Sequence, residues 1–83
     1  MLVQSDLREI AKQRFNGERF NCSTIEFEKT PIVVFYDYWI ESLEGFETID
    51  ELAKNDVYFV AFAEVSPNQY VEVECTSDVL DYV

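Results

Sequence analysis

The uneven distribution of charge is the sequence feature that most constrains this fold. Residues 1–29 carry five acids and five bases, whereas residues 30–83 carry twelve acids and a single base, Lys54. All of the net charge of −11 therefore belongs to the second part of the chain. Self-repulsion of this size disfavours a compact state, so a small domain either tolerates the acids as a solvated surface or uses them to attract a cationic partner.

The composition of the chain predicts one small folded domain. Folding a chain of 83 residues buries roughly 60–65% of the surface that the unfolded chain exposes. Hydrophobic residues make up 48% and aromatic residues 16%, which excludes the composition of a disordered acidic tail. The glycines and prolines are few and scattered, so no linker divides the chain. We expect residues 1–83 to form a single domain.

Several classes of protein are disfavoured by short segments of the sequence. The longest apolar run, Val57–Ala63, is far shorter than the roughly 20 residues that a membrane helix needs. The N-terminus lacks the basic and apolar segments of a secretory signal, so we expect a cytoplasmic protein without a membrane partner. Cys22 and Cys75 are expected to be buried free thiols, although a bridge between them stays open from sequence alone.

Helical spacing and strand alternation predict the elements of the first half. A helix is expected from about Asp6 to about Phe15, capped by Ser5 and ended by Asn16-Gly17. Arg19–Lys29 alternates between apolar and polar residues, which predicts a strand.

The apolar side of Arg19–Lys29 changes within the segment, which predicts a bulge near Ser23-Thr24. Thr30-Pro31 predicts a tight connection. Ile32–Ile40 is apolar on both alternating positions, which predicts a central strand or one covered on both faces.

The second half predicts another helix and a hairpin. Glu41–Glu47 is expected to be a loop, followed by a helix with Thr48 and Glu51 as a capping box and Asn55-Asp56 as its end. A hairpin is then predicted from two β-rich segments, Val57–Val65 and Tyr70–Cys75, joined through Ser66–Gln69, and a helical turn is expected after Thr76 or Ser77. The expected fold is α+β, in the order α-β-β-α-β-β, with an antiparallel sheet of about four strands and the helices packed on one face.

Catalytic chemistry is not supported by the sequence. Histidine is absent, and neither glycine has a glycine neighbour, so common acid–base sites and phosphate loops are disfavoured. Paired acids on one strand, such as Glu72 and Glu74, lie about 6.8 Å apart, but such alternation is typical of a solvated strand face. We therefore expect a protein that is not an enzyme.

Metal and nucleic acid are also disfavoured as ligands. The acids between Glu41 and Glu51 surround Gly45 but lack the spacing and flanking helices of an EF-hand, so no metal and no cofactor are expected. The bases of the first helix are balanced by neighbouring acids, and the net charge opposes direct binding of DNA or RNA.

Acids held on regular elements predict a binding surface for a basic protein. They fall on the second helix, the loop before it, the last hairpin and the C-terminal segment. Tyrosines that are expected to face outward lie among them, namely Tyr58, Tyr70 and either Tyr36 or Tyr38. The predicted partner-binding residues are Glu41, Glu44, Glu47, Asp50, Glu51, Tyr58, Glu64, Tyr70, Glu72, Glu74, Asp78 and Asp81.

The expected function is inhibition of a nucleic-acid-processing protein through a DNA-like negative surface. Small acidic proteins of phages and mobile elements that block host defence enzymes are similar to this chain in size, charge and lack of catalytic motifs. An immunity protein or antitoxin that neutralises a basic nuclease would use the same physics, and an adaptor module with an open sheet edge is the alternative of another class. An ordinary solvated acidic surface also fits the sequence, and so does a homodimer.

Overall fold

A four-stranded antiparallel sheet forms the centre of the molecule. The computed structural model describes residues 1–82 of the chain. The strands lie side by side in sequence order, β1-β2-β3-β4. Their bounds are β1 Phe20–Phe27, β2 Thr30–Asp37, β3 Phe59–Ser66 and β4 Gln69–Val73.

Three helices accompany the sheet within the described residues. They are α1 Gln4–Arg14, α2 Ile49–Lys54 and α3 Thr76–Leu80. Helix α1 precedes β1, α2 lies in the connection from β2 to β3, and α3 follows β4. The α+β class, the α-β-β-α-β-β order and the final helical turn after Thr76 are thereby confirmed.

The helices flank both faces of the sheet, which corrects the expectation that they share one face. Even-numbered residues of β2, such as Ile32 and Val34, belong to a buried cluster that includes residues of α2 and α3. Phe35 belongs to a second cluster, formed with residues of α1. Because β2 and β3 are apolar on both alternating positions, each face has to be covered. The alternative that Ile32–Ile40 is covered on both faces therefore holds for the part within β2.

The same two clusters explain the change of apolar side along β1. Its register with β2 is continuous from Phe20 opposite Asp37 to Phe27 opposite Thr30, so the predicted bulge near Ser23-Thr24 is wrong. Phe20 packs against the α1 cluster, whereas Phe27 packs against the other one. Each end of β1 is thus apolar towards a different core, and no extra residue is needed.

The connection between β1 and β2 differs from the prediction. Its two turn residues are Glu28 and Lys29, with φ of 52° and 67°, as in the tight turns that join antiparallel strands. Thr30-Pro31 belongs to β2 rather than to the turn. Pro31 lies one residue before the first residue paired with β3, and the end of a ladder is a place where a strand tolerates proline.

The ends of α1 show which local signals were reliable. The helix begins at Gln4 because the Asp6 carboxylate accepts a hydrogen bond from the Val3 N–H at 2.9 Å, so the predicted cap at Ser5 is wrong. Asn16 and Gly17 have φ of 53° and 77°, which confirms the left-handed stop.

Helix α2 ends as predicted but begins without the predicted capping box. Thr48 is the residue before the helix, yet its side chain makes no capping hydrogen bond. Asn55 ends the helix and Asp56 has φ of 58°, which confirms the predicted stop. The charges of Asp50 and Glu51 in the first turn favour the helix through its dipole instead.

The cysteines and the helix lengths settle two further points. Cys22 and Cys75 are free, and they lie on β1 and just beyond β4, at opposite edges of the sheet. The bridge that the sequence left open is therefore not formed. Because of these edge positions Cys22 is exposed and Cys75 is only partly buried, so the expectation that both thiols are buried is wrong. Among residues 1–82, no helix has the length and apolar character needed to cross a membrane.

Candidate acidic interface

The charge asymmetry along the sequence becomes an asymmetry between the two faces of the sheet. Residues 38–56 and 74–82, which include α2 and α3, carry nine carboxylates against Lys54; we call them the acidic layer. Residues 1–19, which include α1 on the opposite face, carry four bases and three acids. Most of the net charge of the molecule therefore lies in segments that pack on one face of the sheet.

The loop before α2 presents the most accessible acids. Glu41, Glu44 and Glu47 are exposed, and their side chains form no hydrogen bond or ion pair with any other described residue. Leu43, which is buried in the core below, anchors the loop between them. These carboxylates are exposed to solvent and belong to a segment that is itself held in place.

Two predicted interface acids help to build α3. Asp50 accepts hydrogen bonds from the Thr76 N–H at 2.9 Å and from the Thr76 hydroxyl at 2.5 Å, and these bonds lower the pKa of Asp50. Asp78 accepts a hydrogen bond from the Glu74 N–H at 2.9 Å. The first bond joins α2 to the start of α3, so Asp50 stabilises the acidic layer as well as contributing charge to it.

Replacing Asp50 by alanine should lower the free energy of unfolding by about 0.5–1 kcal/mol at pH 7, the usual loss when a capping carboxylate is removed. Because the folded pKa of Asp50 is lowered, its contribution is full above the unfolded pKa of about 3.9 and disappears as the pH falls through the folded pKa. Urea unfolding of both proteins at pH 7 and in acid checks this. Glu47→Ala removes the same charge without a hydrogen bond, so an equal loss in that variant would contradict the capping role.

The negative charge of Glu72 is partly neutralised by an arginine of α1. Arg14 of α1 donates from Nη1 to Oε2 and from Nη2 to Oε1 of Glu72, both at 2.8 Å, and this pairing raises the pKa of Arg14. The two side chains are 46% and 31% exposed, so the pair is expected to contribute only about 1 kcal/mol or less. Glu72 therefore ties α1 to β4 and is less available to a partner than the loop acids.

Tyr70 and Glu64 form a structural pair instead of an exposed one. Tyr70 is only 6% exposed and packs in the α1 cluster, so the prediction that its ring faces outward is wrong. Its hydroxyl donates a hydrogen bond to Glu64 at 2.9 Å. Burial is the larger cause and this bond the smaller cause of a raised pKa of Tyr70. Because all helices were expected on the other face of the sheet, this side of β4 was predicted to be exposed to solvent.

The remaining predicted residues lie in two places. Glu74, Asp78 and Asp81 line a cleft of about 270 Å³ together with Glu72 and Tyr82, and such a cleft is suited to a cationic side chain. Glu51 is half-buried on α2. Among residues 1–82, no group of three or more acids or thiols has an arrangement that could hold a metal ion.

The exposed aromatic residues lie only partly where the sequence predicted. Tyr58 is half-exposed, but its hydroxyl donates to the Arg14 carbonyl at 3.3 Å and its ring contacts Phe15, so it belongs to the α1 side. Tyr38 and Trp39, which are 59% and 60% exposed, form the turn that leads into the acidic loop. Trp39 is absent from the predicted interface because the apolar run around it resembled a buried strand.

The Tyr38-Trp39 turn is held by one side chain. The Asn21 amide donates to the carbonyl oxygens of Tyr38 at 3.3 Å and of Ile40 at 2.9 Å. The turn is thus fixed before any partner arrives, which reduces the entropy cost of using its rings in a contact. The only sequence signal for this turn is Asp37, a charged residue within the apolar run.

Comparison with known proteins adds no relative to this picture. A scan against protein-family models gives no match, and searches of curated proteins and of solved structures give none either.

Proposed function

We propose that this chain is an inhibitor that binds a nucleic-acid-processing protein by presenting its acidic layer in place of nucleic acid. The proposal is carried by one observation, the nine carboxylates and single base of residues 38–56 and 74–82 on one face of the sheet. The anti-defence proteins of phages and mobile elements are the class with which such an activity is associated.

The charge density of the acidic layer is comparable to that of one side of duplex DNA. The molecule measures 31 × 26 × 16 Å along its principal axes. About 18 phosphates lie along 31 Å of duplex, and about half of them face a protein bound to one side. Nine carboxylates over a face of this length therefore offer a similar number of contacts to a groove lined with lysine and arginine.

Order strengthens the electrostatic argument. Leu43 and Ile49 fix the loop and α2 to the core, and the Asp50–Thr76 bonds fix α3 to α2. Carboxylates held in this way do not have to be ordered on binding, in contrast to those of a flexible acidic tail. The exposed rings of Tyr38 and Trp39 add apolar contact beside the charges, and such aromatic residues often contribute much of an interface's binding energy.

Displacement from DNA tests the proposal directly. Bacterial nucleic-acid-binding proteins are loaded on duplex DNA beads at low salt, and the chain is added as eluant. It should release a small set of basic proteins that mass spectrometry identifies, and the purified proteins should lose DNA binding in its presence. The release beyond that caused by salt alone should fade as ionic strength approaches about 0.5 M, because screening weakens the exposed charges of the chain.

A control separates specific mimicry from bulk acidity. An unrelated folded protein of equal net charge is added to the same beads. If this control releases the same proteins, or if the chain releases none, the proposed function is wrong. The nature of the released proteins separates a defence-enzyme inhibitor from a protein that neutralises a nuclease toxin.

A further inference from the structure

The two edges of the sheet are protected to different degrees. Strand β4 is short, and its outer edge is paired at Tyr70, which exchanges backbone hydrogen bonds with Leu2 at 2.8 and 3.2 Å. Strand β1 has eight residues, and no described segment pairs with its outer edge. It contains no proline, lysine or bulge, the usual devices against edge pairing, and Glu26 is its only charged residue.

The register with β2 fixes which backbone groups of β1 face outward. The two-residue turn makes Phe27 and Thr30 a hydrogen-bonded pair, so odd-numbered residues of β1 bond to β2. The N–H and C=O groups of the even-numbered residues therefore point away from the sheet. These residues are Phe20, Cys22, Thr24 and Glu26.

We propose that a second copy of this chain pairs antiparallel with the open edge of β1. Even-numbered residues must then lie opposite even-numbered residues, because only these carry free backbone groups. Such pairing keeps the same face of both sheets on the same side. The two α1 helices consequently share one face of an eight-stranded sheet, and the two acidic layers share the other.

The distribution of charge favours the β1 edge as the place where two copies of this chain meet. Two chains of net charge −11 repel each other, and the repulsion is strongest where the acidic layers meet. Strand β1 lies in the part of the chain where acids and bases balance, so the copies approach there with least repulsion. A twofold contact of this kind uses the same strand on both copies and closes at the dimer.

The side chains at the edge also favour pairing. Ile25 and Phe27 are partly buried against the core beneath them and keep one side open. A neighbouring strand covers that side and removes apolar area from water.

The dimer extends the proposed function without depending on it. If the acidic layer does replace nucleic acid, a dimer presents two such layers in a continuous face and fits a longer groove or a twofold-symmetric partner. This use of the dimer rests on the proposed function. The pairing itself rests only on the edge of β1 and is measured without any partner.

Analytical ultracentrifugation of the purified chain tests the pairing. From about 1 to about 300 µM, the mass should rise from 9.7 kDa towards twice that value. Salt should strengthen the association because it screens the repulsion between copies, whereas it should weaken binding to a basic partner. A monomer at every concentration and at both low and high salt overturns the proposal.

The substitution Thr24→Lys tests whether β1 is the contact. Thr24 is exposed on β1, and lysine there brings like charges together across the dimer, so association should weaken about tenfold or more. Ala53→Lys, at an exposed position of α2, makes the same change in net charge and should dimerise like the original chain. Circular dichroism checks that both variants fold.

The outcomes separate the two proposals. If Thr24→Lys dimerises as tightly as Ala53→Lys, the β1 edge is not the interface and the pairing is wrong. Because Thr24 lies outside the acidic layer, a monomeric Thr24→Lys variant that still releases proteins from DNA supports the proposed function by itself. A dimer that releases none overturns the proposed function and leaves the pairing in place.

Discussion

Replacing Phe62 by alanine is expected to remove about 3–5 kcal/mol of folding free energy. Phe62 is fully buried in β3, an inner strand of the sheet, and faces α1. Its ring meets the Phe35 ring at a centroid distance of 6.1 Å, close to perpendicular. A chain of this length is stabilised by only about 4–12 kcal/mol in total, so the variant should lose about a quarter or more of its stability and unfold at a clearly lower urea concentration.

Urea unfolding followed by far-UV circular dichroism measures this loss. Trp39→Ala is the matched control, because it also removes a large aromatic ring but from a side chain that is 60% exposed. It should change the free energy of unfolding by about 0.5 kcal/mol or less. Equal midpoints for the two variants would contradict a core between α1 and the sheet.

Signals confined to a few neighbouring residues predicted the order of elements well. Asn16-Gly17 ends α1 because both residues adopt the left-handed conformation, and that preference is local. The turn after β3 also lies between the predicted segments, with Asn68 at φ of 56°. In both cases the sequence alone carries the physical cause.

Features that depend on packing could not be read locally. The change of apolar side along β1 was equally consistent with a bulge or with two cores, and only the position of α1 on the second face decides between them. The turn at Glu28-Lys29 lacks the glycine or asparagine that usually marks positive φ, so nothing in its composition revealed it.

The candidate site also combines features that neighbouring residues predict with features that depend on packing. Glu41, Glu44 and Glu47 are exposed as expected because a polar loop beside a buried leucine has few other arrangements. The pairing of Arg14 with Glu72 joins residues 58 positions apart and requires the end of α1 to lie near β4. Spacing along the chain contains no information about such a contact.

Neutralising the three loop acids together should slow association with a basic partner about tenfold at low salt, because charges near an interface act mainly on the association rate. The variant is Glu41→Gln, Glu44→Gln and Glu47→Gln, and the partner is any protein that the chain releases from DNA. Removing three neighbouring negative charges also relieves repulsion, so the variant should be at least as stable as the original chain.

A second triple variant, Glu9→Gln, Glu18→Gln and Glu28→Gln, isolates position from net charge. It removes the same number of acids, all exposed and all outside the acidic layer, so its association rate should fall only about twofold. Stopped-flow rates at several ionic strengths should show the loop variant with the shallower salt dependence, and all three proteins converging at high salt. Equal rates for the two triple variants would mean that only bulk charge matters and that the acidic layer has no directed role.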